Sequence, residues 1–174
     1  NTLTQTEVND GWQLLFDGES KDKWRGYNKE TFPEQGWVIE EGTLKVLSSG
    51  RGEAGGGGDI ITKNKYKNFE LSVDWKVSEG GNSGIFYLAQ EKPDQPIWKS
   101  APEMQILDNE KHPDAKLGKD GNRAAGALYD LIPGNASLVY PAGEWNTVKI
   151  LVYNGTVLHY INGEAVLEYH LWTD

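Results

Sequence analysis

Glu103, Gln105 and Asp108 lie within the stretch PEMQILDN at 102–109, and their spacing could do proton chemistry. On a strand, successive side chains point to opposite faces. Glu103 and Gln105 then share one face while Met104 and Ile106 share the other, which packs into a core. A bulge after Gln105 would return Asp108 to the polar face and set two carboxylates about a sugar ring apart, with an amide beside them. Such a face, opening on a groove, could hold a base, a second carboxylate and an orienting donor. Glu103 could instead pair with Lys or Arg across the sheet, and Asp108 could cap the turn before Asn109.

His112 follows Asp108 by four positions, in a loop that also carries Asp114. Imidazole exchanges protons near neutral pH, so His112 is a candidate for leaving-group protonation, the alternative being a merely solvated loop histidine. Asp108, His112 and Asp114 could together bind a hard divalent ion, but their spacing matches no specific metal motif. The expectation is a reaction with no required cofactor, with a divalent metal as an option.

In GGNSG at 80–84, Asn82 and Ser83 could hydrogen-bond a ligand that the glycines allow close to the backbone. A tight turn would explain the glycines alone. Tyr129 is the preferred ligand contact in GALYDL at 126–131, where alternation sets it opposite Asp130. The tract GRGEAGGGGD at 50–59 lacks the Lys-Ser/Thr of a phosphate loop and opens no helix. It reads as a flap at a cleft edge, with Arg51 or Asp59 touching substrate. Trp98, in the loop before Pro102, is the aromatic chosen for stacking on a sugar. His159 and His170 fall within strand patterns and read as structural.

The elements that must position these groups are strands. Alternation is clear at 69–77, and segments 37–39 and 43–47 flank Glu41-Gly42 as a hairpin. Segments 148–153, 157–161 and 165–169 are joined through Asn154-Gly155 and Asn162-Gly163, strong hairpin signals that predict a three-stranded meander. Shorter strands are expected at 12–16, 59–62, 84–89, 103–107 and 127–131. Long connections fall at 48–58, 90–101 and 109–125. About ten short strands with Gly- and Asn-rich turns indicate a single all-β domain, a sandwich of two antiparallel sheets.

The 174 residues suffice for one core, and 17 Lys+Arg against 26 Asp+Glu leave a net charge of −9. That balance argues against nucleic acid or anionic membrane surfaces as partners. Seven Trp and eight Tyr could serve carbohydrate stacking or the β core. The absence of Cys excludes disulfides and thiolate metal sites. No apolar run approaches the roughly 20 residues of a membrane span.

Several ordered segments carry a family resemblance: WQLLFDG at 12–18, WRG at 24–26, GDIIT at 58–62, YKNFEL at 66–71, GGNSGIFY at 80–87, PEMQILDN at 102–109, GALYDL at 126–131 and GEWN at 143–146. Together they resemble the 3-keto-disaccharide hydrolase family, once known as a domain of unknown function. The resemblance implies a concanavalin A-like jelly roll, export to the bacterial periplasm or envelope, and action on glycosides oxidised at C3. It also implies a closing segment beyond YHLW at 169–172, which this chain is expected to lack, and Asn1 is expected to follow a removed leader.

A keto group at C3 makes the C2 hydrogen acidic. A base removes it, the carbonyl oxygen takes the charge, the aglycone leaves C1, and water then adds. Glu103 is the expected base and Gln105 an orienting amide. The pattern Glu-x-Gln-x-x-Asp is also similar to the Glu-x-Asp-x-x-Glu of retaining jelly-roll glucanases. That likeness keeps a classical retaining glycosidase open, with Glu103 as nucleophile and Asp108 as acid/base. A non-catalytic sugar-binding module is the third reading.

Overall fold

The computed structural model describes residues 1–48 and 56–171, and it divides the chain into two compact units. The first comprises Asn1–Lys65 with Glu91–Gln95, the second Tyr66–Gln90 with Pro96–Asp174. All strand pairing is antiparallel.

The first unit opens on a helical turn, α1 (Gln5–Asn9), which the strand-dominated reading did not anticipate. Thr4 caps it, the Thr4 hydroxyl accepting from the Glu7 N–H while the Glu7 carboxylate accepts from the Thr4 N–H at 2.7 Å. Residues 12–16, expected as a strand, form none. Their carbonyls are taken by side chains instead, Leu15 accepting from Trp24 Nε1 at 2.9 Å and Leu14 from the Lys23 ammonium. β1 (Trp24–Gly26) pairs with β4 (Ile60–Thr62), and β2 (Trp37–Glu40) with β3 (Thr43–Val46). The expected Glu41-Gly42 turn joins the latter pair with positive φ at both residues, as a hairpin twisting with its strands requires. Glu91 is clamped by two 2.6 Å bonds from the Arg25 guanidinium and a 2.8 Å bond from the Asn28 N–H.

The second unit is a sandwich. One layer has the order β10 (Glu164–His170), β9 (Thr156–Ile161), β8 (Asn146–Tyr153), β5 (Phe69–Trp75). The meander foreseen in the last third is present, and Asn154-Gly155 and Asn162-Gly163 both have positive φ throughout. The other layer pairs β6 (Asn82–Phe86) with β7 (Glu103–Leu107). Residues 126–129 run along the far side of β7, where Gln105 N–H donates to Ala127, Gly126 N–H to Gln105, and Tyr129 N–H to Glu103. The strand expected at 127–131 is only this: Leu128 bridges Met104 and Ile132, and the chain reverses through Asp130 at φ 60°.

Met104, Ile106, Val148, Ile150, Val152, Val157 and Ile161 fill the space between the layers. Each fully buried aliphatic side chain is worth about 1.5–3 kcal/mol, so β7 is held by its own core face. Inside lies His159, wholly buried, whereas His170, also read as structural from its strand pattern, is exposed. The Gly126 carbonyl, 3.2 Å from His159 Nδ1, can only accept, so Nδ1 carries the proton. Nε2 then accepts from the Tyr87 hydroxyl at 2.8 Å, and Tyr87 accepts from Tyr169 at 2.6 Å. Burial brings the imidazole pKa down to about 4 and pushes the Tyr87 phenol well above its usual range. Among the described residues no helix is long and apolar enough to cross a membrane.

Candidate active site

β7 is the strand that carries the candidate chemistry, and its register is regular. Glu103 pairs with Phe86, Gln105 with Gly84 and Leu107 with Asn82, so these six positions share one face. Ser83, opposite Ile106, lies on the other face. The expected joint use of Asn82 and Ser83 toward one ligand is therefore corrected by strand alternation: only Asn82 stands with Glu103.

The anticipated bulge after Gln105 is also absent, since the ladder continues unbroken to Leu107. Asp108 is buried beyond the strand end. Its Oδ2 accepts from Gly80 N–H at 2.7 Å, and its Oδ1 from Glu110 and Lys111 N–H at 3.0 and 3.4 Å. These donors, Gly80 first, hold its carboxyl below the ordinary 3.8. Asp108 is ionised at neutral pH with its lone pairs spent on backbone, so it is a turn cap and not a partner for Glu103.

The face is open at Glu103, which is part-exposed, and closed at Gln105, which is 2% exposed. Gln105 Oε1 accepts from the neighbouring Ile106 N–H at 3.2 Å. The expected open groove past the amide is thus limited to the Glu103 end. There the carboxylate does not stand out from β7 but lies across β6, over Gly84.

Tyr129 flanks Glu103 on the neighbouring segment, as its N–H bond to the Glu103 carbonyl shows. Its hydroxyl donates to Asp114 Oδ2 at 2.8 Å. Arg123 lies over its ring, 5.4 Å from the centroid, and also donates to Asp114 Oδ1 at 3.0 Å and Asp130 Oδ1 at 2.7 Å. Those carboxylates push the guanidinium pKa up, Asp130 most. Sequence reasoning missed Arg123 altogether and met Asp114 only as a metal ligand. The signal available was weak, because Arg123 and its partners sit in turns where no helical or strand period relates them.

His112 caps the short turn Pro113–Lys116, its Nδ1 accepting from Asp114 N–H at 3.2 Å. That bond reserves the neutral tautomer with hydrogen on Nε2; a proton on Nδ1 would face another N–H. His112 is accordingly built as a hydrogen-bond donor through Nε2. The metal cluster of Asp108, His112 and Asp114 does not form, since both aspartates are turned to other partners. Among the described residues no three His, Asp or Glu side chains converge on an ion site.

The remaining candidates belong to other elements or fall outside the described residues. Trp98 is 62% exposed on the turn Ile97–Lys99, with the Lys99 ammonium 5.6 Å from its ring. Asp59 belongs to the first unit, where burial raises its carboxyl pKa and its carbonyl accepts from Tyr27 N–H. Arg51 lies outside the described residues.

Residues 11–174 match the model of the 3-keto-alpha-glucoside-1,2-lyase-like domain. A 3-keto-disaccharide hydrolase of Bacteroides thetaiotaomicron is 55% identical over 175 residues, covering 94% of this chain. The chain spans only 60% of that relative's length. A crystal structure from Parabacteroides distasonis, described as a "putative glycosyl hydrolase", aligns with 31% identity and a TM-score of 0.85, over 100% of this chain and 78% of that one. A second structure from the same organism and with the same description aligns at 25% identity and a TM-score of 0.66, over 86% and 73% of the two chains.

Proposed function

Because this chain belongs to the family of 3-keto-alpha-glucoside-1,2-lyase-like domains, we propose that it cleaves 3-keto-glycosides, 3-keto-disaccharides among them, by proton abstraction at C2. The observation that carries this reading is the pair of fates on β7. Glu103 is the carboxylate at the open end of the face, while Asp108 is spent on three backbone N–H groups.

In the proposed reaction Glu103 removes the C2 proton and the electron pair moves into the C3 carbonyl. The enolate then expels the aglycone from C1, and the proton held by Glu103 passes to the departing oxygen. Water adds across the resulting enone, so the net result is hydrolysis. The Nε2–H of His112 suits stabilisation of the O3 oxyanion better than outright proton transfer, while Tyr129, its hydroxyl proton given to Asp114, serves as a fixed wall beside Glu103. Aligned donors of this kind are worth about 10²–10³ in rate. A divalent ion near O2 and O3 would serve the same purpose, and the proposal does not require one.

Carbohydrate is then the partner. Jelly-roll connectivity and export to the envelope, both implied by the resemblance, complete the proposal. Incubation with a 3-keto-glucoside and with its unoxidised parent, each with and without chelator, tests it. Aglycone release from the 3-keto substrate alone is the expected result. Turnover of the parent instead would establish a conventional glycosidase, and saturable binding without turnover a sugar-binding module.

A further inference from the structure

We infer that Gly84 is a positioning residue whose missing side chain is the seat of the Glu103 carboxylate. The inference rests on the reading of Glu103 as the base. Gly84 pairs with Gln105, which makes it the diagonal neighbour of Glu103 on the same face of β6 and β7. A diagonal position is within reach of a long side chain. A Cβ built on residue 84 would fall 2.7 Å from Glu103 Cδ and 2.8 Å from Cγ, and closer still to Oε1. No real Cβ tolerates such separations, so any other residue here evicts the carboxylate.

The two other glycines of the tract have different needs. Gly80 has φ +65°, and a Cβ on Gly81 would meet the Ser78 carbonyl at 2.8 Å. Gly84 has no positive φ, and the three atoms nearest its absent Cβ all belong to Glu103. A glycine inside a strand weakens it by about 0.5–1 kcal/mol relative to Ala. That cost is compensated only by where the carboxylate lies. Because the obstructing atoms are the far end of a flexible side chain rather than backbone, substitution should move the carboxylate rather than break the sheet.

The test is Gly84→Ala, read in three ways. Its melting temperature is expected within a few degrees of wild type, whereas kcat on a 3-keto-glucoside falls about 100-fold with KM changed far less. In ¹³C-carboxyl NMR the titration midpoint of Glu103 moves. Unchanged kcat, or an unmoved Glu103 titration, overturns the inference. If Gly84→Ala does not fold, Glu103→Ala/Gly84→Ala decides: a folded double variant supports the seat, and an unfolded one overturns it. If wild type turns over no 3-keto-glucoside, the proposed function fails, yet the NMR comparison still decides whether Gly84 seats the carboxylate.

Discussion

The two ends of β7 carry the same functional group in opposite circumstances. At its start Glu103 lays a carboxylate over the bare backbone of Gly84, on a part-exposed patch. Past its end Asp108 buries one under three N–H donors, and its proton affinity drops accordingly. A carboxylate with its lone pairs filled by fixed backbone donors stabilises a fold and is lost to acid–base work. One laid in a seat made by a missing side chain can be reached by a substrate. Burial under fixed backbone donors, not residue type or spacing, therefore marks Asp108 as the structural acid of the two.

The sharpest way to break the contrast is Glu103→Gln, which fills the same seat without basicity. Removal of a general base predicts a fall of about 10²–10⁴ in kcat with KM nearly kept. Steady-state kinetics on a 3-keto-glucoside measure it, and an unaffected kcat would transfer the role elsewhere.

Acid comes next, because a pH profile reports Glu103 only while the sandwich stays folded. His159 accepts its proton near 6.5 when unfolded and near 4 when folded. Between these values the unfolded state binds more protons, so stability rises with pH and is lost as pH falls. The full loss is about 3 kcal/mol, reached near pH 4. Urea unfolding at intervals from pH 7 to 4 measures it. His159→Gln should be less stable at pH 7 yet flat across that window.

Asp108→Asn tests the other end of β7. The amide sets an N–H against the Gly80 N–H, and one unsatisfied donor costs about 1–3 kcal/mol. At roughly 2–4 °C per kcal/mol for a chain of this size, melting should fall by several degrees. Activity per folded molecule should persist, and its loss would return Asp108 to the site.

Most of the sandwich was legible in the chain. Asn154-Gly155 and Asn162-Gly163 dictate their turns by φ alone, and the alternation at 69–75 is strict because one face is buried. Residues 12–16 are as apolar as a buried strand but had no strand to pair with, a fact that composition cannot contain. The site was half legible. Glu103 and Tyr129 were recognisable by type, but the fate of Asp108 depended on Gly80, 28 positions away in sequence. Gly84 was read as a place for a ligand to approach, because only three-dimensional neighbours show that Glu103 already occupies that space.

A third carboxylate extends the comparison in the gentlest way. Glu91 resembles Asp108 in being filled with donors, but its main partner is a cation. The Arg25 guanidinium, with the Asn28 N–H, draws its pKa from 4.5 down to about 2. The stability it contributes is therefore present above pH 4.5 and fades as pH falls toward 2. Arg25→Lys keeps the charge and abandons the two-bond fork, which a point-like ammonium cannot reproduce. Both side chains keep some solvent contact, 19% and 28% exposed, so the loss should be about 0.5–1 kcal/mol. A urea midpoint lowered at pH 7 but approaching wild type at pH 2 would assign the effect of Arg25 to its pairing with the ionised Glu91 carboxylate. An equal deficit at both pH values would assign the effect of Arg25 to its bonds with the Gly26 and Lys29 carbonyls instead.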